Sequence, residues 1–154
     1  LGCGTGLCGS LIRPRADHLV GVDLSSAMVA KAKALGLYDS LHALELVDFL
    51  KQGTEQADLV LAADVFIYVG HLEAVFEALS PRVRPGGWLA FTVEEADPGM
   101  AVQLHRSLRY AHALPYLEEL AAQHGWHWAR VHRAPLRLDQ AQPLMGAYVY
   151  LQKT

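Results

Sequence analysis

The sequence is poor in the features that mark several functional classes. Only two of its 154 residues are cysteine, Cys3 and Cys8. Their spacing is no zinc pattern, and a chain in a reducing compartment needs no disulfide, so two small buried thiols are expected. Charge is sparse, 19% of residues, with a net of -3; this gives no basic footprint for nucleic acid. No apolar run approaches the ~18 residues of a membrane span, and no secretory leader is visible. A cytoplasmic location is the default expectation. Internal repeats and low-complexity tracts are missing too. What remains is 52% hydrophobic, enough for one globular domain over residues 1–154 with a sizeable core.

What the chain does have is glycine in an unusual place. Gly2, Gly4 and Gly6 alternate through Leu1-Gly2-Cys3-Gly4-Thr5-Gly6-Leu7-Cys8-Gly9. Glycine loses the most entropy on ordering and is used where backbone turns tightly or approaches a ligand. The stretch therefore reads as a loop from a strand into a helix, with backbone N–H groups free to meet a nucleotide-type cofactor. Gly2, Gly4 and Gly6 fit one template; Gly4, Gly6 and Gly9 fit the dinucleotide fingerprint G-x-G-x-x-G. Such a loop follows a buried strand, yet the chain begins at Leu1 and not at Met. A piece of a longer protein is expected, cut within or just after its first, central strand.

The pattern then alternates. Leu7–Arg13 reads as a short helix stopped by Pro14, His18–Asp23 as a buried strand ending in an acid. Ser25 or Ser26 caps a helix over 27–35, closed by Gly36. Leu41–Val47 is a weaker strand and 48–52 a helical turn stopped by Gly53. Asp58–Asp64 is a buried strand, 72–83 a helix with Val75, Phe76, Leu79 and Val83 on one face, Pro85-Gly86-Gly87 a turn, and Trp88–Val93 a strand. This rhythm predicts a doubly wound, mostly parallel α/β sheet covered on both faces. After Ala96–Met100, residues 102–109 are ambiguous between strand and helix. Pro115–His124 is an amphipathic helix ended by Gly125. Trp126–Leu138 and Gly146–Gln152 are strands, joined through a short loop at 139–143 as an antiparallel terminal hairpin.

Asp23 ends the second strand seventeen positions after Gly6. A carboxylate there can accept both hydroxyls of a ribose. With loop and acid both in view, the residues resemble class I S-adenosylmethionine-dependent methyltransferases. Leu1-Gly2-Cys3-Gly4-Thr5-Gly6 is similar to that family's first motif. Val22-Asp23-Leu24-Ser25 with Met28 is similar to its second, Asp58–Asp64 to its fourth strand, and Arg84-Pro85-Gly86-Gly87 to the turn before its fifth. The resemblance covers residues 1 to about 95 and implies a Rossmann-like sheet of order 3-2-1-4-5-7-6, with the first strand largely missing. Gly36-Leu37-Tyr38-Asp39, Ala63–Val69 and Arg109–His112 resemble methyltransferases joined to tetratricopeptide repeats, which implies such a region in the full-length protein.

The resemblance assigns roles. Gly2, Cys3, Gly4, Thr5 and Gly6 would present backbone to the methionine and ribose of S-adenosylmethionine. Asp23 would hold the ribose, with Leu24 and Met28 against the adenine. Glu45, with Leu46 beside it, would accept from the adenine amino group, a role for which Asp48 competes. Ala63 and Asp64 would line the sulfonium end. The acceptor is expected to be a small molecule, and catalysis to be mostly positioning. A base is needed only if the nucleophile carries a proton; Tyr68, His71 and His112 are the candidates. Tyr68, Glu94, Arg109, Tyr110 and His112 are candidate acceptor contacts, and Glu94 and Glu95 could bind a cationic one. No metal is expected: His124 and His127 straddle a helix end without a carboxylate or thiol nearby. Two competing readings share the loop and Asp23. One is an NAD(P)-dependent oxidoreductase; the other is a non-catalytic cofactor-binding scaffold.

Overall fold

Glycines, prolines and short polar caps set most of the element boundaries. In the computed structural model, which describes residues 1–139 and 142–154, the chain forms two units, Leu1–Thr54 and Glu55–Thr154.

The first unit holds α1 (Gly9–Ile12), a 3-10 turn (Arg13–Arg15), β1 (Val20–Asp23), α2 (Ser26–Ala34), β2 (Ser40–Ala43) and α3 (Leu46–Gln52). β1 and β2 are parallel, with Val20 opposite Ser40 and Asp23 opposite Ala43. The Ser25 side chain accepts the Met28 N–H and caps α2. Gly36, at φ +64°, closes the helix by donating to Lys33 O, a conformation only glycine adopts freely. The helix expected over 7–13 begins later, because Leu7 and Cys8 belong to the turn that follows Gly6. Pro14 does not stop it either. It sits in the first turn of the 3-10 segment, where a missing N–H leaves no bond unmade. The strand expected over 41–47 ends at Ala43, since Glu45 caps α3 with its own carboxylate.

Tyr38 is the packing centre of this unit. A Cβ at Gly6, Gly9 or Gly21 would lie 3.2, 2.7 or 2.9 Å from its side chain. Beside it, Arg13 donates to Ala16 O, Asp17 O and the Asp39 carboxylate, at 2.6, 2.9 and 2.6 Å. Asp39 also takes the Leu19 N–H at 2.7 Å. These two donors hold its carboxyl below the usual carboxylate range.

The second unit holds β3 (Ala57–Ala62), a 3-10 turn (Phe66–Tyr68), α4 (Glu73–Leu79), a 3-10 turn (Ser80–Arg82), β4 (Val83–Glu95), β5 (Val102–Leu104), β6 (Tyr110–His112), α5 (Leu114–Gln123), β7 (Trp126–Asp139) and β8 (Gln142–Lys153). β3 runs parallel to β4, and β8 lies antiparallel between β4 and β7. Within each unit the neighbours are those expected: β1 beside β2 in the first, and β3, β4, β8 and β7 in succession in the second. The fold is thus α/β and Rossmann-like, with a mixed sheet and an antiparallel terminal pair. β6 adds a short parallel contact at Glu94 and Glu95 of β4, and β5 pairs outside it. The ambiguous stretch over 102–109 is this β5 strand and the turn into β6.

One face of β4 supplies the core. Leu89, Phe91 and Val93 are buried with Phe66, Phe76, Leu79, Leu117 and Leu120. Phe91 meets Phe66 at 5.1 Å and the edge of Phe76 at 6.3 Å between ring centroids. The helix expected over 72–83 is shorter, because Pro81 tightens its end into a 3-10 turn and Val83 already belongs to β4. Pro85-Gly86-Gly87 is no separate turn. It is a bulge inside β4: Ala57 faces Val83 but Leu59 faces Trp88, so three residues loop out. The hairpin loop expected at 139–143 falls partly outside the described residues, and Pro143 already pairs with Leu138.

Gly146 of β8 is the tightest backbone approach. A Cβ there would meet the Leu136 side chain and lie 2.5 Å from Val93 O. The carbonyl belongs to the central strand and cannot yield cheaply. Gly146→Ala is expected to cost about 1–3 kcal/mol, measured as a lower urea midpoint. An unchanged midpoint would show that β8 relaxes freely at this point.

Candidate functional site

The opening loop follows a path that needs its glycines. Gly2, Gly4 and Gly6 have φ of +59°, +54° and +89°, the left-handed region that other residues adopt at a cost. A Cβ on Gly4 would meet nothing within 4 Å, so conformation alone demands glycine there. Gly9 serves packing instead, against Tyr38. The two templates therefore overlap: three glycines shape the loop and a fourth seats the helix.

Two bonds tie the loop to β1, and a third ties β1 to the start of α2. Cys3 N–H donates to Val22 O at 2.9 Å. Asp23 accepts the Gly4 N–H on Oδ2 and the Ser25 N–H on Oδ1, both at 2.9 Å. Each carboxylate oxygen keeps acceptor capacity after one such bond. Asp23 is thus structural as well as available, which the sequence did not reveal. Immediately beyond it, Leu24 is 77% exposed and Met28 40% exposed. Of the two thiols, Cys3 is half-buried and Cys8 exposed, so the expectation of two buried thiols is corrected. Burial, then the nearby Asp23 charge, pushes the Cys3 thiol up. Glu45 is exposed, and its Oε2 takes the N–H groups of Val47 and Asp48 at 2.7 and 3.0 Å. Leu46 is half-buried and Asp48 exposed in the first turn of α3.

In the second unit, Ala63 and Asp64 follow β3 and are exposed. Asp64 turns through φ +59°, and its N–H donates to Thr92 Oγ1 at 2.8 Å. Its carboxylate receives Arg137 Nη1 at 2.5 Å. Arg137 Nη2 binds Glu94, which is only 5% exposed. Arg133 binds Glu95 through two nitrogens, at 2.6 and 2.9 Å. The two glutamates expected to face a cationic acceptor therefore already face arginines of β7. Sequence reasoning missed Arg133 and Arg137. Their only signal was that they belong, with Arg130, to three arginines spaced along one strand.

Tyr68 stands 66% exposed on the 3-10 turn after β3. His71 is exposed, its Nδ1 3.9 Å from Glu73. Arg109 is half-buried, and the Tyr110 ring lies over Gly70. His112 is fully buried and bonds to the carbonyls of Val69 and Gly70, a different place from the open base expected of it. His124 caps α5, its carbonyl accepting from Ser80 and Lys153. Among the described residues, no three His, Cys, Asp or Glu side chains group as metal ligands, and no helix is long and apolar enough to cross a membrane.

A left-handed glycine loop closed by a carboxylate at the end of the next strand defines an α/β fold of the nucleotide-cofactor class. Residues 1–89 match the family described as "Methyltransferase domain", and the chain belongs to this family. It is 31% identical over 103 residues to the ubiquinone biosynthesis O-methyltransferase of Paraburkholderia phytofirmans, covering 60% of this chain and 41% of that protein. A Bordetella avium protein of the same name is 24% identical over 102 residues, covering 64% and 42%. The chain thus spans about two fifths of the length of these curated relatives. Among solved structures, an S-adenosylmethionine-dependent methyltransferase from Mesorhizobium loti matches at TM-score 0.79 and 18% identity, covering 99% of this chain and 88% of that one. The N-methyltransferase NodS of Bradyrhizobium japonicum, in complex with S-adenosylhomocysteine, matches at 0.78 and 16%, covering 99% and 74%. At these identities the solved structures establish the fold.

Removing one partner of a buried ion pair leaves the other charge uncompensated. Arg137→Leu is expected to cost about 3–5 kcal/mol by stranding Glu94. Arg137→Leu combined with Glu94→Gln should recover most of that loss in urea unfolding. Equal losses in both variants would show that Glu94 does not depend on Arg137.

Proposed function

We propose that the chain is an S-adenosylmethionine-dependent methyltransferase domain acting on a small-molecule acceptor. The observation that carries this reading is the loop held on Asp23, in a chain of the methyltransferase-domain family. The local chemistry fits the cofactor. Space is open over Gly4, Asp23 retains lone pairs for hydroxyls, and two exposed apolar side chains, Leu24 and Met28, stand next to it. Exposed apolar groups beside an acid suit a flat apolar base joined to a diol.

In this reading Gly2, Cys3, Gly4, Thr5 and Gly6 line the cofactor with backbone. Asp23 accepts from the ribose, Leu24 and Met28 cover the adenine, and Glu45 with Leu46 meets its edge. Ala63 and Asp64 are carried over from the sequence motif to the reacting end. Tyr68, Glu94, Arg109 and Tyr110 are the acceptor-side candidates, and His71 the exposed candidate base. The names of the curated relatives support a small acceptor, and both units then serve one methyltransferase domain.

When bound, the cofactor supplies a methyl group on a cationic sulfur, whose charge disappears on transfer. The chain's own task is to hold the two reactants in line and exclude water; such positioning contributes up to roughly 7–11 kcal/mol in favourable systems. A side-chain base is required only for a nucleophile that must lose its proton early.

Calorimetric titration of the chain with S-adenosylhomocysteine and, in parallel, NADH tests this. Saturable binding of the first and none of the second is expected. Asp23→Ala should weaken binding by roughly ten- to a hundredfold, the equivalent of about 1.5–3 kcal/mol for hydrogen bonds to a charged group. Because Asp23 also holds Gly4 and Ser25, Asp23→Asn is the companion variant: it keeps an acceptor and should lose less. Binding of NADH alone would replace this reading with an oxidoreductase, and binding of neither would leave a scaffold.

A further inference from the structure

Three aromatic side chains from β6 and α5 converge on one short backbone stretch, residues 69–72. His112 Nε2 lies 2.7 Å from Gly70 O and 3.1 Å from Val69 O. Carbonyls only accept, so Nε2 carries the hydrogen and donates. Nδ1 is then the bare acceptor, and it is buried without a hydrogen-bond partner. The Tyr116 ring lies beside His112, 14° from parallel and 6.3 Å between centroids. Its hydroxyl accepts the Leu72 N–H at 2.8 Å. Tyr110 closes the third side: a Cβ on Gly70 would stand 3.1 Å from its ring.

The stretch held this way separates the Phe66–Tyr68 turn from α4. It carries His71 and directly follows Tyr68, both exposed. A leucine could fill much of the volume of His112 at this buried position. What the polar links add is a fixed backbone position, since buried donors and acceptors tolerate little displacement.

We propose that His112 and Tyr116 are positioning residues: they clamp backbone 69–72 and thereby fix Tyr68 and His71 for contact with the methyl acceptor. The assignment of an acceptor rests on the methyltransferase reading; the clamp itself does not.

The clamp carries its own pH dependence. Protonation would place a charge and an N–H on Nδ1, where no acceptor waits. Burial accordingly holds the His112 pKa below the ordinary histidine value, against the pull of the two carbonyls. The titratable groups around it are His71 beside the clamped stretch, Glu73 at the start of α4, Tyr116 on α5, Tyr110 on its own strand and Glu95 opposite it on β4. Tyr116 is itself pushed up to about 12, mainly by burial, and stays neutral. A histidine with a lowered folded pKa binds its proton first in the open state. The clamp is therefore intact above about pH 6.5 and weakens as pH falls below it.

Hydrogen exchange of residues 65–72 in the full chain, corrected for intrinsic rates, reads the clamp directly. Tyr116→Phe and His112→Leu are expected to raise exchange there roughly tenfold or more, with β8 still protected. His112→Gln keeps an N–H donor and cannot titrate. It should restore most of the protection and remove the rise that the wild type shows below about pH 6.5. Unchanged exchange in Tyr116→Phe and His112→Leu would overturn the proposal, as would equal loosening of the whole chain in all three variants. If His112→Leu does not fold, Tyr116→Phe and the imidazole nitrogen spectrum of the wild type decide: a proton on Nε2 is expected, and one on Nδ1 overturns the clamp. S-adenosylhomocysteine titrations on the same samples separate the two ideas. Binding with no exchange effect sinks the clamp alone; an exchange effect without binding sinks the methyltransferase reading alone.

Discussion

One carboxylate holds two backbone N–H groups that come from opposite sides of it in sequence. Asp23 takes Gly4 and Ser25, and so joins the end of β1 to the glycine loop before it and the helix after it. The loop's left-handed glycines contribute no side chains, and the Cys3 amide on Val22 O reinforces the connection. Tyr38 completes the arrangement from below, where Gly6, Gly9 and Gly21 leave room for its ring. The same features that make the loop able to accept a ligand, bare backbone and open space over Gly4, make it depend on one acid.

The second unit solves a related problem with paired charges. Strand ends in an α/β sheet expose polar groups next to a buried core, and here Asp64, Glu94 and Glu95 are answered by Arg137 and Arg133. Glu94 is the telling case, because a buried carboxylate without a partner costs far more than an exposed one. Nearby, the backbone after β3 is fixed by neutral aromatic groups, His112 and Tyr116. Charge is used where strands end; neutral donors and acceptors are used where the chain turns inside the core.

Local signals carried much of the fold in the sequence. Ser25 and Gly36 bound α2 because capping depends on a few adjacent residues. The apolar run ending at Asp23, the phased leucines of α5 and the long terminal strands were legible from periodicity. The Pro-Gly-Gly bulge was not, since a bulge exists only relative to a partner strand. The early end of β2 was not legible either, because Glu45 serves there as the cap of α3. At the candidate sites, residue type announced the loop and Asp23. It could not announce Arg137, which meets Asp64 from 73 positions away, or Tyr116, which meets Leu72 from 44. Pairings across such distances are made by topology, which a single sequence does not display.

The central claim is that a cofactor lies on the loop that Asp23 holds. Amide nuclear magnetic resonance of the chain, with S-adenosylhomocysteine added, tests it at individual residues. The account predicts that the largest shifts fall on Gly2 to Gly6, Asp23 and Leu24. Large shifts confined to other parts of the chain, or none at saturating ligand, would contradict it.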